Sequence, residues 1–327
     1  MPANLTPQYL EADRRFKEAK APEEKLAALE EMLAVIPKHK GTEHLRGDLK
    51  RRLAKLKAEA EQARKKRGGF SVTVDREGAG QVVLVGGPNT GKSALVAALT
   101  NAPTEIAEYP FTTRRPVAGM MPFVNVQVQL VDLPAFSSDY MEPWVPSLVR
   151  VADLVLLVAD LASASVLEDV GRVLELLARS KIKLVRPGES AAAEVGWAVR
   201  PGLLLGNKVE GPGAQDAWEV LQASYPGFPG HAVSAEAGLG LEALRRAIYD
   251  GLAIVRVYSK PPGKEPSMEA PVVLPRGSTI LDMAEAIHKD FARHLQYARV
   301  WGSTRFSGQR VQQAYAVQEG DVIELHL

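Results

Sequence analysis

Val82-Val83-Leu84-Val85-Gly86-Gly87-Pro88-Asn89-Thr90-Gly91-Lys92-Ser93-Ala94-Leu95-Val96-Ala97-Ala98-Leu99 runs from an apolar stretch through a glycine-bracketed turn into a helix-forming stretch. That order reads as strand, phosphate loop, helix. Gly86, four further residues and then Gly91-Lys92-Ser93 make physical sense at such a junction. The glycines let backbone N–H groups turn inward around phosphate oxygens, and the helix N-terminus adds the positive end of its dipole. In this pattern Lys92 bridges the β- and γ-phosphates and Ser93 ligates Mg²⁺. The stretch predicts a nucleotide site and leaves open which base it reads.

At 327 residues the chain is long enough for two or more domains, and 46% hydrophobic with 24% charged residues is ordinary globular composition. The formal net charge of +1 names no partner by itself, and the absence of cysteine excludes disulfides and thiolate metal sites. Met1 to Arg15 lacks the apolar core of a secretory signal, and Asp153 and Asp160 interrupt the most apolar candidate for a span. A cytoplasmic protein without membrane contact is the expectation. His39, His44, His231, His288, His294 and His326 show no metal-ligand spacing. Trp144, Trp197, Trp218 and Trp301 are too scattered to argue a base-stacking platform, and nothing indicates DNA specificity.

Residues 1–69 read as a helical region. Leu26, Leu29, Met32, Leu33 and Ile36 recur at helical spacing before Pro37, and Leu45, Leu49, Leu53 and Leu56 form a second run, so a helical hairpin is expected. From Lys38 to Arg67 twelve Lys/Arg stand against four Asp/Glu, ending in Arg64-Lys65-Lys66-Arg67. Such a run is either the solvated face of a charged helix or a contact for an RNA backbone. Residues 70–80 read as a linker after Gly68-Gly69.

Residues 81–253 alternate strand-like and helix-like segments, the pattern of a mostly parallel sheet with helices on both faces. The expected strands are 81–86, 117–121, 124–132, 153–159, 202–206 and 231–234; the third alternates apolar and polar residues, as an outer or half-exposed strand would. Gly86, Asp132, Asn207 and Ser234 all fall at carboxyl ends of strands, where open α/β sheets bind ligands. Val166 to Leu177 reads as a helix, and the remainder of 161–200 carries no chemistry. Residues 254–327 read as a small α+β module of the β-grasp kind, with a helix at 280–292 opened by a capping-box-like Thr279 and Asp282.

Further residues complete the candidate site. In Tyr109-Pro110-Phe111-Thr112-Thr113 the Thr113 hydroxyl can join Ser93 on Mg²⁺ and sense the γ-phosphate. Asp132, in Asp132-Leu133-Pro134, would hold Mg²⁺ through water, while the backbone after it, with Ala135, reaches toward the γ-phosphate. In Asn207-Lys208-Val209-Glu210 the carboxylate can accept two parallel hydrogen bonds that guanine offers and adenine does not, with Asn207 and the Lys208 stem positioning the ring. Ser234-Ala235-Glu236 adds a backbone N–H near guanine O6. The nucleotide contacts expected of the loop are Gly86, Pro88, Asn89, Thr90, Gly91, Lys92, Ser93 and Ala94.

These stretches resemble the signature motifs of translation-factor-class GTPases, and the loop together with Tyr109 to Thr113 is similar to the Obg-like branch. Val255 to Lys264, Pro271 to Leu274, Ile287 to Asp290, Tyr297 to Gly302 and Asp321 to Ile323 resemble the TGS domain of developmentally regulated GTP-binding proteins. The resemblance implies a P-loop NTPase G domain of α/β class, with an N-terminal helical hairpin and a C-terminal β-grasp TGS domain. It implies a Mg²⁺-dependent GTPase that binds GTP and GDP on or near the ribosome, its terminal modules docking to RNA or a protein. The excursion at 161–200 is shorter than the extra subdomain of such relatives.

Three departures bear on function. Ala135 stands where the family has glycine, Glu210 where the base-reading motif ends in aspartate, and Phe136-Ser137-Ser138-Asp139-Tyr140 where glycines follow the third motif. Phe136 cannot orient water as a glutamine would. The resemblance is to hydrophobic-substituted GTPases, some of which hold K⁺ partly through the loop asparagine, here Asn89, whose other reading is a turn-stabilising amide. Lys92, Thr113 and Asn89 are thus the expected catalytic residues; Arg114 and Arg115 are candidates to act on the γ-phosphate. A second reading is a nucleotide-responsive binding module with little or no hydrolysis, and a third a nucleotidase of relaxed base specificity.

Overall fold

A computed structural model describes residues 14–16, 22–35, 49, 51, 53, 73–100, 105–106, 116–137, 140–189 and 194–327. The chain divides into two compact units, Met1–Ser71 and Val72–Leu327.

In the first unit, helix α1 (Pro22–Val35) buries Leu29 and Met32 together with Leu49, and Phe16, Leu33, Val35 and Leu53 pack on this cluster. The two apolar runs therefore share one core, with Leu49 and Leu53 in helical conformation. The expected ends of those runs, Ile36, Leu45 and Leu56, and the basic stretch at 64–67 lie outside the described residues.

The second unit begins with β1 (Gln81–Gly86) and α2 (Lys92–Leu99), then β2 (Glu105–Ile106), β3 (Val117–Phe123), β4 (Val126–Asp132), α3 (Val145–Val151), β5 (Leu154–Asp160), α4 (Val166–Arg179), β6 (Ile182–Val185), β7 (Ala198–Asn207), α5 (Ala214–Ser224), β8 (Gly230–Val233) and α6 (Leu241–Gly251). Among the described residues these strands form one sheet in the order β2-β3-β4-β1-β5-β7-β6, with β8 also on β7. β1, β4, β5, β6, β7 and β8 run parallel to one another, whereas β3 pairs antiparallel with both β4 and β2.

β1 explains why the central strand reads as an unbroken apolar run. Val83 and Val85 enter one core with Leu148 of α3, Val170 of α4 and Leu221 of α5. Val82 and Leu84 enter the opposite core with Leu95 of α2 and Leu244 of α6. Both faces of this strand are covered, as in parallel sheets generally, and truncating any one of these leucines is expected to cost about 2–5 kcal/mol.

Three expectations need correction. The alternating strand is not an outer one: β4 lies between β3 and β1, and Gln129 is buried because Gln81 Nε2 donates to its Oε1 at 2.8 Å while its own amide donates to Asp75 O at 2.9 Å. Residues 161–200 contain a strand, β6, that pairs with the first half of β7, so β7 starts at Ala198 and runs through Pro201. Ahead of β1, Ala79 donates to Gln127 O and Gly80 accepts from Gln129, so residues 79–80 lie along β4.

The carboxyl-terminal part holds β9 (Ile254–Ser259), β10 (Val272–Pro275), α7 (Ile280–Ile287), α8 (Lys289–His294), β11 (Tyr297–Trp301), β12 (Gln309–Val311) and β13 (Val322–His326). The strands form a sheet in the order β10-β9-β13-β11-β12. Val255, Val257, Ile280, Met283, Val300 and Ile323 share its core. The capping box of Thr279 and Asp282 opens α7. The single helix expected at 280–292 also departs from expectation: it breaks at His288 (φ −168°, ψ 140°), whose Nδ1 accepts the Asp290 N–H at 3.2 Å and caps α8.

Candidate functional site

The ends of β1, β4, β7 and β8 lie along one edge of the sheet and deliver Gly86, Asp132, Asn207 and Ser234 there. The loop after β1 is shaped by its glycines. A Cβ on Gly86 would stand 2.5 Å from Val158 O; one on Gly91, at φ +82°, would stand 2.2 Å from Asn207 Nδ2. Asn89 is also left-handed, at φ 59°, a conformation that asparagine tolerates better than most residues. Its side chain is exposed and makes no hydrogen bond among the described residues, so its part in the turn rests on the left-handed backbone and not on the amide. Pro88 is exposed, whereas Thr90 is buried with its hydroxyl donating to Gly87 O at 3.1 Å.

Lys92 opens α2 and folds back onto the loop, its Nζ donating to Gly87 O at 3.0 Å and Gly86 O at 3.3 Å. Burial pushes its pKa down, against the pull of Asp132. Ser93 Oγ donates to Asp132 Oδ2, and Asp132 Oδ1 is buried with no partner. Burial pushes the Asp132 pKa up, opposed by the Ser93 hydroxyl and by Lys92. A desolvated cation and a desolvated carboxylate thus face one cavity of about 550 Å³, lined by Asn89, Gly91, Lys92, Ser93, Ala94, Asp132, Leu133, Pro134 and Ala135. Such a site can take an anion on Lys92 and the loop N–H groups, and a hard divalent cation on the Ser93 and Asp132 oxygens. Among the described residues no cluster of three or more His, Cys, Asp or Glu offers another cation site.

Beside the loop, Asn207 is buried and braces two segments: Nδ2 donates to Thr90 O at 2.9 Å, and Oδ1 accepts the Ala235 N–H at 3.0 Å. Lys208, at φ 68°, ties its ammonium to Asp160 Oδ2 at 2.5 Å. Glu210 is exposed. Ser234 is buried; its N–H donates to Leu239 O and its hydroxyl accepts the Ala237 N–H at 2.9 Å.

Residues 81–186 match a family model described as a 50S ribosome-binding GTPase, and residues 255–327 match the TGS domain. A GTP-binding protein of Methanocaldococcus jannaschii is 30% identical over 360 residues, covering 93% of this chain and 92% of its own. The chain belongs to the Obg-like GTPases, in the developmentally regulated GTP-binding protein family. The human developmentally-regulated GTP-binding protein 2 is 26% identical over 363 residues, covering 92% of this chain and 98% of its own. The solved YchF GTPase of Schizosaccharomyces pombe shares the fold at a TM-score of 0.52 and 14% identity, covering 77% of this chain and 99% of its own.

Within this Obg-like GTPase the structure brings the phosphate loop, Asp132, Ala135, Asn207 and the 234–236 segment to one edge. Asn207 braces the loop against the 234–236 segment from within. The N–H groups of Ser234 and Ala235 are engaged by Leu239 O and Asn207 Oδ1, so neither is presented outward in this state; Glu236 is exposed. Phe136 donates its N–H to Gly86 O at 3.0 Å and buries its ring in the core, away from the cavity. Tyr109 to Arg115, including Thr113, lie outside the described residues. Sequence reasoning missed Asp160, which pairs in register with Asn207 and positions Lys208. Its signal was the same as that of Asp132: an acid closing a buried strand at the ligand edge of the sheet.

Proposed function

We propose that this Obg-like GTPase binds GTP and GDP with Mg²⁺ in the cavity beside α2, hydrolyses GTP slowly, and acts as a switch associated with the ribosome or RNA. One observation carries the nucleotide reading: the Ser93 hydroxyl and the Asp132 carboxylate stand together, with Asp132 Oδ1 bare, beside the buried Lys92. Two hard oxygens with a free lone-pair direction fit Mg²⁺, which when bound supplies charge neutralisation between β- and γ-phosphate oxygens. Lys92 exchanges the carbonyls of Gly86 and Gly87 for phosphate oxygens. Asn207 holds the loop against the 234–236 segment, and the exposed Glu210 carboxylate is assigned to guanine's paired donors.

Slow turnover is argued from Phe136. With its ring in the core, no side chain at that position reaches an attacking water. Thr113 is assigned to Mg²⁺ and the γ-phosphate, and Asn89, exposed and unbonded, to K⁺. Ribosome or RNA association is assigned to the basic stretch ending at Arg67 and to the TGS domain, in line with the description of the matched GTPase family. No described helix is long and apolar enough to cross a membrane. The domain bounds proposed are 1–69 helical, 70–80 linker, 81–253 G domain and 254–327 TGS. The buried Phe136 also favours the second reading, a nucleotide-responsive binder with little hydrolysis. Single-turnover and multiple-turnover assays with GTP and ATP, in K⁺ and in Na⁺, separate the two: measurable Mg²⁺-dependent GTP turnover, faster in K⁺, is expected. Nucleotide binding without release of phosphate leaves only the binder.

A further inference from the structure

The open side of the five-stranded sheet carries chemistry that neither the nucleotide cavity nor the domain core uses. Along β11, Ala298 and Val300 point into the core, so Tyr297, Arg299 and Trp301 share the other face. β12 sets Arg310 directly opposite Arg299, and β13 sets His326 opposite Tyr297. The Tyr297 and His326 rings stack at 4.4 Å and 9°, and the Arg310 guanidinium lies 3.8 Å from the Tyr297 centroid. Lys260 Nζ sits 4.8 Å from the Trp301 ring. At the tip of the β11–β12 hairpin Phe306 is 63% exposed, with Arg305 at 5.3 Å from its ring.

The charge on this face is unbalanced. Its carboxylate, Glu324, is engaged by Lys260 and by His326 Nε2 at 2.8 Å. Arg299 and Arg310 are exposed and form no ion pair among the described residues. Arg299 stands in register with Glu324 on β13 as well, but that carboxylate already serves Lys260 and His326, so the like-charged pair across the β11–β12 ladder suits a polyanion lying across both. The far end of the face is closed where Arg256 Nη1 donates to Asn125 Oδ1 at 2.7 Å, which leaves the β11–β12 edge as the open part.

We propose that this edge of the sheet is a contact surface for single-stranded RNA. Arg299 and Arg310 take successive phosphates. An unpaired base lies on the outer side of the Arg310 guanidinium, which Tyr297 backs, and a second base packs on Phe306. Rings and guanidinium planes beside a cationic strand suit unstacked bases and not a duplex, whose base faces are hidden. An acidic protein would satisfy the arginines and leave the rings without a role. The inference rests on the RNA association proposed above and assigns that association to particular residues.

Fluorescence polarisation of a labelled twelve-nucleotide oligouridylate with the full chain tests it. Two variants are compared with the parent: Arg299→Gln with Arg310→Gln, and Arg64, Lys65, Lys66 and Arg67 all changed to Gln. The sheet variant is expected to bind at least 10-fold more weakly, with a salt slope shallower by about 1.4 for two lost phosphate contacts on a single strand. Its GDP affinity stays unchanged, and its circular dichroism matches that of the parent. Phe306→Ala is expected to weaken binding about 3-fold or more. Loss confined to the basic-stretch variant overturns the surface and keeps RNA association. Competition by an RNA duplex or by polyglutamate as strong as by oligouridylate overturns the surface too. No RNA binding by the parent chain removes both readings.

Discussion

The side-chain amide of Asn207 donates to the Thr90 carbonyl at 2.9 Å, so the phosphate loop is held from behind by the residue that ends β7. The same side chain accepts the Ala235 N–H, and Gly91 has no room for a Cβ beside it. One buried amide thereby fixes the geometry of two segments that approach a ligand.

Asn207→Ala leaves the Thr90 carbonyl and the Ala235 N–H without their partner. A loss of about 1–3 kcal/mol in stability is expected, with at least a 10-fold loss of affinity for a fluorescent GDP analogue. Gly91→Ala is expected to be at least as damaging, because the new methyl meets Asn207 Nδ2 and the backbone is left-handed. Urea unfolding and nucleotide titration of both variants check this; a normal affinity in Asn207→Ala contradicts the strut.

Asp132 and Lys92 place binding and stability in opposition. Burial raises the folded pKa of Asp132, so the folded protein binds more protons than the unfolded chain there, and stability falls as pH rises from about 3.8 through the raised value. Asp132→Asn is therefore expected to be more stable than the parent at pH 7 without nucleotide. The gain should shrink as pH is lowered toward 4, and Mg²⁺-dependent nucleotide affinity should fall at least 10-fold. Urea midpoints across that range, with and without Mg²⁺ and GDP, decide it. A variant less stable than the parent at pH 7 contradicts the burial argument.

At the junction of the two sheets, Glu319 accepts from Tyr249 OH at 2.9 Å and from Arg256 Nε at 2.8 Å, while Phe123 stacks on Tyr249 at 4.6 Å. Burial, with the hydrogen bond to Glu319, pushes Tyr249 up to about 12. Burial works to raise Glu319, but the hydrogen bonds from Arg256 and Tyr249 hold it below the ordinary carboxylate value. The Tyr249 contribution is present below about pH 10 and is lost as pH rises toward 12; the Glu319 contribution is present above about pH 4.5 and is lost as pH falls below it. Tyr249→Phe should remove the alkaline loss and cost about 1 kcal/mol at pH 7, as read by thermal melts from pH 7 to 11.

Asn89→Gly keeps the left-handed backbone and removes the amide. It is expected to leave GDP affinity within about 3-fold and to abolish any acceleration of GTP turnover by K⁺ over Na⁺. Equal acceleration in the variant removes Asn89 from the cation site.

Local pattern made the phosphate loop legible, because two glycines, a lysine and a serine at fixed spacing carry their own geometry. The central strand was equally legible, since both its faces are apolar. What stayed hidden depended on partners distant in sequence. Gln129 looked exposed until Gln81, 48 residues away, satisfied it, and β6 is only four residues long with a lysine inside. The helix break at His288 rests on one side-chain cap. Trp301 looked isolated among the tryptophans because its neighbours on the sheet face, His326 and Arg310, come from other strands and join it only through strand pairing.

Lys92, Ser93 and Asp132 are proposed to hold the phosphates of a guanine nucleotide with Mg²⁺. Titration calorimetry of GDP and ADP into the full chain and into Lys92→Ala, in Mg²⁺ and in EDTA, tests it most directly. Saturable one-to-one GDP binding to the parent in Mg²⁺ is expected, at least 10-fold weaker in EDTA and for ADP, and none to Lys92→Ala with its fold intact by circular dichroism. GDP binding of equal strength to parent and variant, or none to the parent, contradicts it.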